Sequence, residues 1–258
     1  MKFDKITTDF INKGFHKFKL NLKNYNYLKK TILKITKLNL KTKKLNLEKI
    51  HNFIQIDKLN DFRLKVFQRI NADKNFKKNV YLSAQEKIHQ CVGSEICNSD
   101  ANLSIQFPKD QSSLLSMHTD FFSGESIFQV NLWIPFVDVK KTQSMFIIDP
   151  KNSIKILKKI KNDKKITFNN IDKNYANKMR WINLKEGEAI LFSPNCLHGN
   201  VVNVEKNTRW SINIRYKNIF SPYSEHKNEK KIGTFYKPLK LGSITNFNLH
   251  YNFEEIAR

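Results

Sequence analysis

Three stretches of this chain alternate with a period of two between an apolar face and a more polar one. In Asn102-Leu103-Ser104-Ile105-Gln106-Phe107 the odd positions are apolar. In Phe128-Gln129-Val130-Asn131-Leu132-Trp133-Ile134 one face carries Phe128, Val130, Leu132 and Ile134, and the other Gln129, Asn131 and Trp133. In Arg209-Trp210-Ser211-Ile212-Asn213-Ile214-Arg215-Tyr216 the polar face carries both arginines, the serine and the asparagine. A period of two is the signature of a strand with one buried face. The polar faces are then either the solvated side of a sheet or the lining of a barrel mouth. The run Gly187-Glu188-Ala189-Ile190-Leu191-Phe192 reads as a turn feeding a further strand, which leaves His198 near a strand end.

The first hundred residues change period. Leu59, Phe62, Val66, Phe67 and Ile70 have helical spacing after Asp57, a candidate N-cap. A second helix is expected from Asn75 to about Cys91, ending at Val92-Gly93, and another from Asn21 to Leu38 with lysines on its solvated side. No internal repeat or long Gly/Pro-rich linker divides the chain. The expectation is one domain over 1–258: a mainly helical elaboration over 1–98, a β core over 99–220 and a C-terminal extension over 221–258. Lys151 to Arg180, rich in Lys and Asn, reads as an insertion between strands, either a substrate lid or a solvated excursion.

Candidate chemistry sits on the polar faces. His118-Thr119-Asp120 is followed far downstream by His198, and Arg209-Trp210-Ser211 begins eleven residues after that histidine. With 7 His and 23 acidic residues in 258, a His-x-acid triplet arises by chance about 0.6 times, so the triplet alone carries little. Its strand context and its downstream partners carry more. Two imidazoles and one carboxylate on one side of an iron leave coordination positions for a bidentate 2-oxo acid and for dioxygen. An arginine beyond the metal would grip the far carboxylate with a planar fork. Arg215, on the same strand face, is the alternative to Arg209.

The order His-x-Asp, distal His-Gly, Arg-x-Ser resembles the iron(II)/2-oxoglutarate-dependent dioxygenases. Leu103 to Leu115, His118-Thr119-Asp120, Gly124-Glu125-Ser126, Leu132 to Asp138 and Thr142 to Phe146 are similar to the phytanoyl-CoA-dioxygenase-like branch found in sporadic carbohydrate biosynthesis clusters. The resemblance spans roughly residues 50 to 216. It implies a double-stranded β-helix, a jelly-roll barrel of cupin-like form buttressed by the N-terminal helices. It also implies Fe(II) held by His118, Asp120 and His198, with 2-oxoglutarate as cosubstrate, its C5 carboxylate on Arg209 and Ser211, and O2 as oxidant. Gln106, Asn131 and Trp133 are expected to line the pocket, since they share inward-facing positions if the barrel forms. Asp120 disfavours halogenation, because halogenating relatives lack that carboxylate. The implied reaction is hydroxylation of a carbohydrate or nucleotide-sugar-type metabolite, an anionic sugar derivative included. The same chemistry on a lipid, acyl-CoA or amino-acid derivative is the alternative.

Composition adjusts this reading. The net charge of +23 and 46 Lys+Arg raise a third class, a non-catalytic barrel binding nucleic acid or polyanions. The distribution argues against it. Fourteen lysines fall in residues 1–50 and ten in 151–200, but three in 101–150, where the motifs lie, and arginine, the residue that forks phosphates and bases, occurs six times. No specific nucleic-acid partner is expected. Cys91, Cys97 and Cys196 are too few for a disulfide framework and lack paired metal spacing, which points to a reducing cytoplasm. No signal-like or membrane-spanning apolar run occurs in the sequence.

Overall fold

A computed structural model describes residues 2–163, 172–224 and 228–251. The amino-terminal third is helical, as its period requires. Helices α1 (Lys5–Lys13), α2 (Leu22–Leu40), α3 (Leu59–Ala72) and α4 (Lys74–Val92) bury Leu28, Ile32, Val66, Ile70, Val80 and Ile88 in one core with the strands. Asn21 caps α2 by accepting from the Asn24 N–H. Asp73 caps α4, and Gly93, at φ 80°, ends it. Asp57 is not a cap. A 3-10 turn over Ile56–Lys58 intervenes, and α3 follows Lys58 without a side-chain cap.

One long strand organises the sheet. β9 (Arg209–Asn218) pairs along one side with β4 (Gln129–Pro135), and along the other with β2 (Ile96–Asn98) and β3 (Asn102–Gln106) at its two ends. β7 (Glu188–Phe192) follows β4, and β1 (Phe15–Lys19) closes that edge. β10 (Lys237–Lys240) closes the other beside β2, all pairs being antiparallel. A second, three-stranded sheet is ordered β6 (Arg180–Trp181), β5 (Phe146–Ile147), β8 (His198–Gly199). The fold is thus antiparallel sheet with helices, in two described sheets.

Register follows the alternation. Ser104 lies opposite Ser211 and Gln106 opposite Arg209, while Asn131 opposes Arg215 and Trp133 opposes Asn213. Their sequence neighbours Leu103, Ile105, Leu132, Ile134, Trp210, Ile212 and Ile214 turn to the helical side and are buried. The polar positions therefore share the opposite face, which looks toward the second sheet.

The Lys151–Arg180 segment is not an open excursion in its first half. Helix α5 (Pro150–Asn162), capped by Asp149, packs Ile156 against Met117, Phe146, Ile148 and Leu197. It thereby supports the back of the second sheet. The centre of the expected lid, residues 164–171, lies outside the described residues. The tail contributes β10 and α6 (Ser243–Tyr251). Among the described residues no helix is long and apolar enough to cross a membrane.

Candidate metal centre

Two backbone hydrogen bonds place the histidines. The His118 N–H donates to the His198 carbonyl and the His198 N–H to the His118 carbonyl, each at 2.9 Å, so the two residues form an antiparallel bridge. Their rings lie 4.4 Å apart. Gly199 permits this approach, since a Cβ there would stand 2.7 Å from the Leu115 carbonyl oxygen. Asp120 is not on a strand but opens a 3-10 turn, Asp120–Ser123. Thr119 between them is extended, at φ −118° and ψ 141°, so His118 and Asp120 still project to one side.

The ring tautomers follow from the remaining contacts. Nδ1 of His118 lies 2.7 Å from the Ser116 carbonyl, and Nδ1 of His198 lies 2.9 Å from the Cys196 carbonyl. A carbonyl only accepts, so each Nδ1 carries a proton, and each ring in its neutral form would offer its Nε2 lone pair. Both Nε2 atoms face Asp120 Oδ1, at 3.5 Å from His118 and 3.6 Å from His198. One ligand atom from each of the three residues lies within 4.8 Å of the others. Two neutral imidazole nitrogens and one carboxylate oxygen converging on a point are a donor set that suits a divalent transition metal.

Asp120 is held in its charged form. Burial opposes ionisation, but the His198 charge, contacts from both imidazoles and the Arg215 guanidinium outweigh it and keep the carboxyl far below the usual range. At His118 burial acts downward, while the Asp120 carboxylate and the Ser116 carbonyl raise the pKa overall. Both shifts favour a pair that a cation would replace as counter-charge. Phe192 packs edge-on against His198, with ring centroids 5.0 Å apart.

Arg209 presents the second half of the site. It is 3 % exposed, and its NH1 and NH2 donate to the Ser144 carbonyl at 3.2 Å and Ser104 Oγ at 2.9 Å. Its Nε has no partner, and neither does the Oγ of Ser211 beside it on the strand face. No described carboxylate pairs with it, and burial alone pulls its pKa down to about 10. A buried guanidinium without a counter-ion costs several kcal/mol, roughly, unless an anion supplies one. Arg215 differs. Its Nε donates to Glu125 Oε2 at 2.9 Å and its NH2 lies 3.8 Å from Asp120 Oδ2, so its charge is already spoken for.

The metal-ligand candidates and Arg209 open on one cleft, walled by Asn102, Ser104, Trp133, Asn213 and Arg215 from the large sheet and by Leu115, Met145 and Phe192 on its apolar side. About 90 Å³ is open to water centres, which is room for several waters and hence for a small dicarboxylate. Of the pocket residues expected from sequence, Trp133 reaches this wall. Asn131 lies one layer behind, donating to Asp120 Oδ2 at 2.5 Å. Gln106 is also buried behind the wall, donating to the Val201 carbonyl at 2.7 Å. Ser104, Asn102 and Asn213 also line the cleft, on the face that strand parity with Arg209 marks. Glu125, Gln129 and Tyr236 stand behind Asp120, and of these Gln129 shares the polar face of β4 with Asn131 and Trp133.

No family model matches the sequence, and no curated protein does. Solved structures match the fold. The non-heme monooxygenase ThoJ, in complex with nickel, is similar over 98% of this chain and 96% of its own, with a TM-score of 0.56 and 12% identity. HygX from Streptomyces hygroscopicus, solved with nickel and 2-oxoglutarate bound, is similar over 90% of this chain and 93% of its own, at TM-score 0.53 and 9% identity. EvdMO1 is similar over 83% of this chain and 49% of its own, at TM-score 0.55 and 13% identity. At such identities the likeness establishes a shared fold, one that carries a metal with 2-oxoglutarate in HygX.

Proposed function

We propose that the protein is an Fe(II)- and 2-oxoglutarate-dependent oxygenase of jelly-roll type, acting on a small molecule. The observation that carries the reading is the juxtaposition of two converging Nε2 lone pairs and Asp120 Oδ1 with a buried, unpaired guanidinium across one small cleft. The shared fold of HygX, which holds nickel and 2-oxoglutarate, supports it. His118, Asp120 and His198 would hold the iron, and Arg209 with Ser211 and Ser104 would hold the distal carboxylate of 2-oxoglutarate. So bound, iron and 2-oxoglutarate supply with O2 an oxidant for C–H bonds, with succinate and carbon dioxide released.

The chain's own residues set the conditions for that chemistry. Arg209 supplies the counter-charge and the fork that fix the cosubstrate's orientation. Leu115, Met145 and Phe192 give the cleft an apolar side. Asn102 and Asn213 give the cleft a polar face suited to a hydroxyl-rich substrate, which favours a carbohydrate-type metabolite over an acyl chain. Succinate formation from 2-oxoglutarate by purified protein given Fe(II) tests the reading. It is expected in the wild type and lost in His118→Ala, Asp120→Ala and His198→Ala. Undiminished turnover in His198→Ala would sink the proposed ligand set.

A further inference from the structure

Behind Asp120 lies a buried row of polar side chains that reaches into the C-terminal segment. Asn131 Nδ2 donates to Asp120 Oδ2 at 2.5 Å, and Gln129 Nε2 donates to Asn131 Oδ1 at 2.9 Å and to Glu125 Oε2 at 2.6 Å. The Tyr236 hydroxyl donates to Gln129 Oε1 and accepts from the Ser126 N–H at 3.2 Å. Gln129, Asn131 and Tyr236 are all buried, Asn131 and Tyr236 fully.

The direction of every bond in the row is forced. Asp120 and Glu125 are carboxylates and only accept; Glu125 also takes the Arg215 Nε at 2.9 Å and the Lys230 Nζ at 3.2 Å. An amide facing a carboxylate must present its nitrogen. Asn131 therefore turns Nδ2 to Asp120, which leaves its oxygen for Gln129. Gln129 likewise turns Nε2 to Glu125 and Asn131, which leaves its oxygen for the Tyr236 hydroxyl. No member can flip without setting two acceptors together in a buried site.

From this geometry we infer that Tyr236, Gln129 and Asn131 form a positioning relay that occupies Asp120 Oδ2 and so presents Oδ1 alone to the metal. The inference rests on the proposed metal site and assigns a task to a tail that the sequence left unplaced. None of the three residues touches the cleft, so each acts through Asp120. Without the relay the longer Arg215 NH2 contact, at 3.8 Å, is what remains on Oδ2, so the carboxylate can turn about its terminal torsion, whose wells are broad, and offer either oxygen or both.

The test is metal binding, read without turnover. Co(II) is titrated under nitrogen into the full chain, following the visible absorption of the bound ion. Asn131→Ala should weaken Co(II) about tenfold or more, the usual scale for a lost outer-shell partner, and Tyr236→Phe by a smaller factor, about threefold. Both should change the shape of the absorption band, which a loss of general stability would not. The double variant should bind no more weakly than Asn131→Ala alone, because a relay cut at its last link gains nothing from a cut further back. Wild-type affinity and band shape in Asn131→Ala and Tyr236→Phe, with binding abolished in Asp120→Ala, would overturn the relay and leave the metal site standing. Wild-type affinity in Asp120→Ala would remove the site itself, and the relay with it.

Discussion

Arg209 is the residue whose environment makes least sense without a ligand. It spends one donor on a carbonyl and one on a hydroxyl, leaves Nε unpaired, and finds no described carboxylate. On the proposed function, that charge serves the carboxylate of a bound 2-oxoglutarate. Replacing it with a flat-volume apolar side chain should therefore leave the fold unharmed. Arg209→Met is expected to unfold within about 1 kcal/mol of the wild type or above it, since exchanging a buried ion for an apolar group is often neutral or stabilising. The same variant should lose the thermal shift that 2-oxoglutarate gives the metal-loaded protein. Destabilisation by about 3 kcal/mol or more in chemical denaturation would make Arg209 a structural residue instead.

At the scale of elements, a second buried charge explains how the tail reaches the site. Lys217, near the end of β9, is fully buried and pairs with Glu229 at 3.1 Å, and its Nζ lies 4.4 Å from the Tyr223 ring centre. Glu229 also accepts from the Ser224 hydroxyl at 2.6 Å. Burial raises the Glu229 pKa, but the Ser224 hydroxyl, the Ser224 N–H and Lys217 outweigh it and bring the pKa down to about 2. A carboxyl depressed from 4.5 to about 2 contributes stability that is fully present above pH 4.5 and is lost as pH falls toward 2, on the order of 3 kcal/mol. Urea unfolding across that window should show the loss in the wild type. Glu229→Gln should be less stable at pH 7 by about 3 kcal/mol, through the uncompensated Lys217 charge, and should lack that part of the acid slope. Equal slopes in the two proteins would contradict the assignment.

Elements also differ in how plainly the sequence announced them. β3, β4 and β9 were legible because each has one face against an apolar core, so period two is written into the residues. Parity alone places Arg209, Ser211, Asn213 and Arg215 on one face. α2 was legible through the lysines on its solvated side and α4 through Val92-Gly93 at its end, while their N-caps Asn21 and Asp73 were not. β1 was not. Phe15-His16-Lys17-Phe18-Lys19 is an edge strand whose lysines blunt its free side, and its partner β7 lies some 170 residues away. β10 contains Pro238, opposite Cys97, and reads as a turn for the same reason that it suits only an edge. The relay behind Asp120 was hidden more deeply. Gln129 and Asn131 share the polar face of β4 and so carry its period, but Glu125 precedes that strand and Tyr236 reaches Gln129 from more than 100 residues away, a contact that no period announces.

For the whole molecule, the two sheets divide the work. The second sheet and the bridge to His118 bring the imidazoles together, the turn from Asp120 brings the carboxylate, and the large sheet brings Arg209 from the opposite wall. Helix α5 holds the second sheet from behind and the tail holds Asp120 from the side, so the cleft is braced on both flanks. On the proposed function, the metal ligands and the Arg209 guanidinium form one site, with 2-oxoglutarate bridging them. Calorimetric titration of 2-oxoglutarate under nitrogen tests it directly, with and without Mn(II) in place of iron, in wild type, Arg209→Lys and Arg215→Lys. Binding should require the metal and weaken by about tenfold or more in Arg209→Lys, which keeps the charge and loses the fork. Arg215→Lys, whose guanidinium is engaged by Glu125, should bind 2-oxoglutarate more nearly as the wild type does. Equal affinity with and without metal, or an Arg209→Lys protein that binds as tightly as the wild type, would contradict the account.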